Sequence, residues 1–153
     1  MFLPGASKPF PHRHDCYEEY FLQATTSSKK LLGVRIAAAI TFLIAGTGLF
    51  ILGAQPIAVG LFSPPWDKLV HIGTFASIGC AAGVASGSQG WLRVAYCVAG
   101  ALAMGAADEL HQAYLPGRSA SWTDLLADAV GGMAGAVLLH FTRASGLRHL
   151  KNH

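Results

Sequence analysis

Residues 31–53 read LLGVRIAAAITFLIAGTGLFILG, from Leu31 to Gly53. Arg35, near the start, is the only charge. A helix needs roughly 20 apolar residues, at about 1.5 Å each, to cross some 30 Å of hydrocarbon. This stretch is long enough. Lys29 and Lys30 precede it and Gln55-Pro56 follows it, so polar residues or a helix breaker stand at both ends. The reading predicts a transmembrane helix, and the remaining chain has to be compatible with lipid.

Three further apolar runs fit that frame. Ile57 to Phe62 is a short link ended by Ser63-Pro64-Pro65-Trp66, and Trp66 sits where a headgroup-level aromatic is expected. The second run goes from Leu69 to about Ala85 and the third from Trp91 to about Ala113, with Ser86-Gly87-Ser88-Gln89-Gly90 between them. Pro116-Gly117 closes the third, and the fourth goes from Leu125 to about Phe141. Ser121 and Asp124 have the spacing of a capping box. The later runs are rich in glycine and alanine, and Gly131 and Gly135 stand in a GxxxG spacing. Small residues let backbones approach closely in lipid. The short connections make successive helices antiparallel. The expectation is an all-α membrane protein, a four-transmembrane-helix antiparallel bundle over 31–142. A polar N-terminal tail (1–30) precedes it and a basic C-terminal tail (143–153) follows.

Composition agrees. Hydrophobic residues make up 52% of the 153 residues, the mean hydropathy is +0.42, and charged residues are only 12%. Soluble domains carry roughly 25% charged residues. The net charge of +3 is small and gives no reason to expect a nucleic-acid partner. Cys80 and Cys97 lie in apolar runs and read as packed hydrophobes, while Cys16 is alone in the tail, which argues against a disulfide framework. The first apolar residues are cut off by Pro4-Gly5, unlike a signal peptide. His12, His14, Asp15 and Cys16 have the residue types of a metal site, against the plainer reading of a solvated tail, and Cys16 to Leu22 reads as a short interfacial helix.

Sidedness follows from the basic residues. Lys8, Arg13, Lys29, Lys30, Arg35, Arg93, Arg143, Arg148 and Lys151 fall on one side, and only Lys68 and Arg118 on the other. The positive-inside rule then predicts cytoplasmic termini, with the first and third loops outside.

That outer end collects the polar residues. Asp67, Lys68 and His71 open the second span. Asp108, Glu109, His111 and Gln112 close the third, Arg118 lies in the loop, and Asp124 and Asp128 open the fourth. Five of the chain's eight acids are among them. Asp67 and His71, Asp108 and Gln112, and Asp124 and Asp128 are each i, i+4 pairs on one helical face. His71, Asp108 and Asp128 each sit about one turn, roughly 5 Å, inside a helix end, as one buried layer would require. Acids at the end of the third span and Lys68 at the start of the second oppose the helix dipoles by about 0.3–1 kcal/mol each. Cross-helix pairing resolves that conflict: Lys68 with Asp108 or Glu109, and Arg118 with a remaining acid. A bound cation would serve equally well. Each residue alone also has a structural reading, Asp124 as a cap and His71 as a core histidine among them.

The motifs Asp67-Lys68-Leu69-Val70-His71-Ile72-Gly73-Thr74-Phe75, Asp108-Glu109-Leu110-His111-Gln112, Pro116-Gly117-Arg118, and Ser121 with Asp124, Asp128, Gly131 and Gly135 resemble the VanZ-like family. The resemblance covers residues 67–135. It implies a small bacterial integral membrane protein of about four helices, whose founding member is associated with low-level teicoplanin resistance. Asp128 departs from the family, which usually carries asparagine there, and adds a charge to the layer.

Two functions compete. The first is a polar pocket at the outer face of the bacterial inner membrane that binds an envelope lipid or a glycopeptide-like ligand. In it, Lys68 and Arg118 hold an anionic headgroup, and Asp108, Glu109, His111 and Asp128 bind a cation or act as acid and base. The second is a non-enzymatic accessory subunit or assembly factor of a larger membrane complex. A transporter or proton channel fits less well, because the intramembrane charges lie near one surface only. Membrane lipids are the expected partners. The sequence names no cofactor and no metal.

Overall fold

The computed structural model describes the backbone of residues 13–63 and 65–150, and the side chains of residues 17–63 and 65–142. Four α-helices and no strand are found among the described residues: α1 (Arg13–Gly53), α2 (Trp66–Ala85), α3 (Gly90–Gln112) and α4 (Trp122–Leu150). A single 3-10 turn, Pro56–Ala58, lies between α1 and α2. All four helices contain stretches long and apolar enough to cross a membrane. The protein is an all-α, multi-pass membrane protein.

The chain divides into two units, Met1–Gly33 and Val34–His153. In the first, α1 begins at Arg13, well before the apolar run at Leu31. The residues read as a short interfacial helix are the opening turns of this longer one. Tyr17, Tyr20, Phe21 and Leu22 are all exposed there. The threonine hydroxyls of Thr25 and Thr26 return their hydrogen bonds to the carbonyls of Phe21 and Leu22 at 2.6 and 2.8 Å. Such local bonding keeps polar side chains satisfied without neighbours. The side chains of His12, His14, Asp15 and Cys16 lie outside the described residues.

In the second unit, α2, α3 and α4 form a close-packed trio. Glycines set the spacing. A Cβ on Gly131 would stand 2.7 Å from the Ile72 carbonyl oxygen, and one on Gly135 would stand 2.5 Å from that of Ala76. On its other face, a Cβ on Gly132 would stand 3.0 Å from Val98 Cα. The Gly131–Gly135 spacing read from the sequence is therefore the contact face of α4 on α2, and Gly132 is its contact with α3. The core between them is thin: Phe75, Ile78 and Ala101 are buried, with Phe42, Ala45, Leu49 and Met104 packed around them. The outward residues are large and apolar, among them Leu69, Leu126, Val130 and Met133, as lipid contact requires.

The part of α1 in this unit packs on the trio through longer side chains. Met104 fills the space beside Gly46, and Phe42 lies near Gly100. Two arginines fasten it at its ends. Arg35 donates to the carbonyls of Ala85 (3.2 Å) and Ser86 (3.1 Å), where α2 finishes. Arg118 donates to the carbonyl of Gly53, the last residue of α1 (3.2 Å). The final carbonyls of a helix have no partner within it and attract cations, so both arginines sit where a helix end needs one.

Candidate functional site

The site lies at the end of the bundle where α1 and α3 finish and α2 and α4 begin. Helix direction alone brings together the first turns of α2 and α4 and the last turns of α3. The loop from 113 to 121 adds Arg118, and Gly117 makes its turn possible with φ +76°, a backbone region that suits glycine.

Its centre is a pair. His71 Nδ1 stands 2.8 Å from Asp128 Oδ1, and Asp128 is wholly buried. Phe75, one turn further along α2, stacks on the His71 ring with centroids 5.8 Å apart. Gly105 of α3 makes room for the carboxylate: a Cβ there would collide with Asp128 Oδ2. Asp108, also buried, accepts a hydrogen bond from Gln112 Nε2 at 2.7 Å, the i, i+4 relation expected for one face of α3.

Lys68 lies between Asp67 (3.1 Å) and Asp124, bridging α2 to α4. This corrects the expected pairing with Asp108 or Glu109. Lys68 and its two partners all lie in first turns, so they meet at the surface of the bundle, while Asp108 is deeper. Arg118 also departs from expectation. Its NH1 and NH2 groups donate to the backbone carbonyls of Ala58 and Gly53, and no ion pair to Arg118 is found among the described residues.

Glu109 explains why Asp124 is available to Lys68. The capping-box spacing assigned Asp124 to the Ser121 N–H. In the structure that N–H donates to Glu109 Oε2 from α3. Ser121 Oγ turns to Thr123 Oγ1 at 2.7 Å instead of capping the helix. A neighbouring helix thus supplies the carboxylate that the local sequence led one to seek in α4. His111 turns away from the polar group and packs edge-on against Phe50 of α1, with centroids 5.2 Å apart.

A cavity of about 690 Å3 opens beside these residues. Asp67, His71, Asp108, Gln112, Arg118 and Asp124 are among its lining residues. Leu49, Leu52, Ile57, Leu61, Phe62 and Val70 line it too, from α1, the α1–α2 connection and α2. Of the ten residues singled out in the sequence, six therefore line one cavity. Asp128 stands behind His71, Lys68 braces the rim, and Glu109 and His111 serve the neighbouring backbone and α1. Among the described residues, no three His, Cys, Asp or Glu side chains group as a metal ion would need.

A family model described as VanZ/LLP1 matches residues 20–143. The chain belongs to the VanZ/LLP1 family. No curated protein and no solved structure matches it. The match takes in all of α2 and α3, most of α1 and α4, and every residue of the polar cluster. In this VanZ/LLP1 protein the motifs of α2, α3 and α4 are neighbours in space, around one cavity and one buried pair.

Sequence reasoning missed the contribution of α1 and its connection. Ala58 and Gly53 act through carbonyl oxygens, which no side-chain pattern reveals. The apolar wall looked like ordinary lipid-facing sequence. Gly105 was visible only as one small residue among many.

Proposed function

We propose that this VanZ/LLP1 protein binds an envelope lipid in the cavity at the site end of the bundle. The carrying observation is the cavity's mixed lining, with apolar side chains such as Leu49, Leu52, Ile57 and Phe62 from α1 and its connection and polar ones from α2, α3 and α4. A volume of about 690 Å3 falls within the roughly 300–1,000 Å3 of small-molecule sites. Acyl chains would lie along the apolar side chains and the headgroup against the polar ones. The nine-to-two bias of basic residues read from the sequence supports placing the cavity at the outer face of a bacterial cytoplasmic membrane, with cytoplasmic termini.

Lys68 does not serve as the anion holder in this reading, because Asp67 and Asp124 already occupy it. The accessory-subunit reading has less to stand on than in the sequence. The small residues that would have received a partner helix already face one another within the trio.

Gly48 provides the test. It lines the cavity, and a Cβ placed there meets no atom within 4 Å. Gly48→Phe should fill the space while leaving the fold intact. Protein extracted into nanodiscs and analysed by native mass spectrometry should carry bound lipid, and the variant should lose it. Equal lipid retention by a folded Gly48→Phe protein would refute the pocket.

A further inference from the structure

The unpartnered polar atoms buried in the cavity's wall specify more than a generic lipid. Asp108 Oδ1 and Asp67 Oδ1 are buried acceptors without a partner, and Arg118 Nε is a buried donor without one. All three residues line the cavity. Asp108 is 2% exposed, so bulk water does not serve its carboxylate. Buried polar groups of this kind are normally satisfied, so unpartnered ones in the wall of a cavity call for a partner.

The inventory discriminates among headgroups. A phosphate offers only acceptors. It would satisfy Arg118 Nε but face the carboxylates of Asp67, Asp108 and Asp124, and the guanidinium has already given NH1 and NH2 to Ala58 and Gly53. An ammonium offers only donors. It would satisfy the two carboxylate oxygens and leave Arg118 Nε open beside a like charge. A hydroxyl both donates and accepts, so a polyhydroxylated headgroup can meet both kinds of need without adding charge.

We propose that the headgroup held at this wall is a neutral sugar, making the ligand a glycolipid. The assignment rests on the lipid-pocket reading above. Asp108 is its principal acceptor, Asp67 the second, and Arg118 Nε the donor, while Gln112 fixes the Asp108 carboxylate in place.

The test uses the full chain in detergent, with native mass spectrometry of competing lipids of identical acyl chains: monoglucosyl diacylglycerol, diacylglycerol, phosphatidic acid and phosphatidylethanolamine. The glucosyl lipid should be retained at least about tenfold more than each of the others, about 1.4 kcal/mol in binding free energy. Asp108→Leu should bring the glucosyl lipid level with diacylglycerol while leaving diacylglycerol bound. Equal retention of all four lipids would overturn the sugar assignment and leave the lipid pocket standing. Preference for phosphatidic acid or phosphatidylethanolamine would overturn it as well. Retention of none would overturn both readings. The wild-type comparison decides the matter even if the Asp108→Leu protein does not fold.

Discussion

His71 and Asp128 join α2 to α4 through one hydrogen bond of 2.8 Å, with the carboxylate wholly buried. Burying a polar pair in the bundle is tolerable only while both partners remain. Asp128→Ala removes the acceptor and strands the His71 ring nitrogen, so it should destabilise by about 2–4 kcal/mol, near the lower end for a broken buried pair. Asp128→Asn keeps an acceptor of the same shape and should cost less than about 1.5 kcal/mol. Unfolding in mixed detergent and SDS measures both. A large loss in the asparagine variant would mean that the negative charge, and not the hydrogen bond, holds the helices.

Gly105 and Gly73 should respond oppositely to alanine. At Gly105 the new methyl collides with Asp128, which cannot withdraw without breaking its bond to His71. Overpacking of this kind costs about 1–3 kcal/mol. At Gly73 a Cβ meets nothing within 4 Å, so Gly73→Ala should be neutral or stabilise α2 by up to about 1 kcal/mol through helix propensity. The same unfolding assay ranks the two. Equal effects would show that α3 does not approach α4 as closely as Gly105 allows.

The contrast between those glycines shows what was legible in the sequence. Four spans could be read because hydrocarbon thickness fixes a run length. The end that carries the cluster could be read because short loops force alternation. Helix period placed Asp108 with Gln112 on one face, and the GxxxG spacing found the α4 surface that meets α2. Partner choice was not legible. Lys68 had several acids within a plausible radius, and only helix depth separates Asp124 from Asp108. Glu109 displaced Asp124 as the cap because a neighbouring helix supplied a carboxylate, which local capping rules do not consider. The apolar half of the cavity was hidden because lipid-facing and ligand-facing leucines are the same residue in the same pattern.

Lys68 holds two carboxylates, so its loss should be felt through their repulsion. Lys68→Met leaves Asp67 and Asp124 near each other without a counter-charge. The lysine is about one-third exposed (32%), which limits the expected loss to about 1 kcal/mol. Adding Asp124→Asn to Lys68→Met should recover most of it, because the repulsion is gone. A double-mutant cycle on thermal unfolding reads the coupling. A double variant as unstable as the sum of the two single ones would show that the bridge is not a unit.

Arg118 ties the loop between α3 and α4 to the end of α1, and the chemistry of that tie is specific to arginine. NH1 reaches the Ala58 carbonyl at 3.4 Å and NH2 reaches Gly53 at 3.2 Å, two acceptors several residues apart in the chain. Arginine spans them with one planar fork, whereas lysine presents a single point charge. Arg118→Ala should free the segment 54–63 from the loop, and hydrogen exchange there should speed up. Because α1 shares no broad close backbone contact with the other helices, the change should stay local and leave the α2–α3–α4 amides protected. Arg118→Lys should behave like the alanine variant. Protection in the lysine variant equal to that of the wild type would show that charge alone, at the end of α1, holds the segment down.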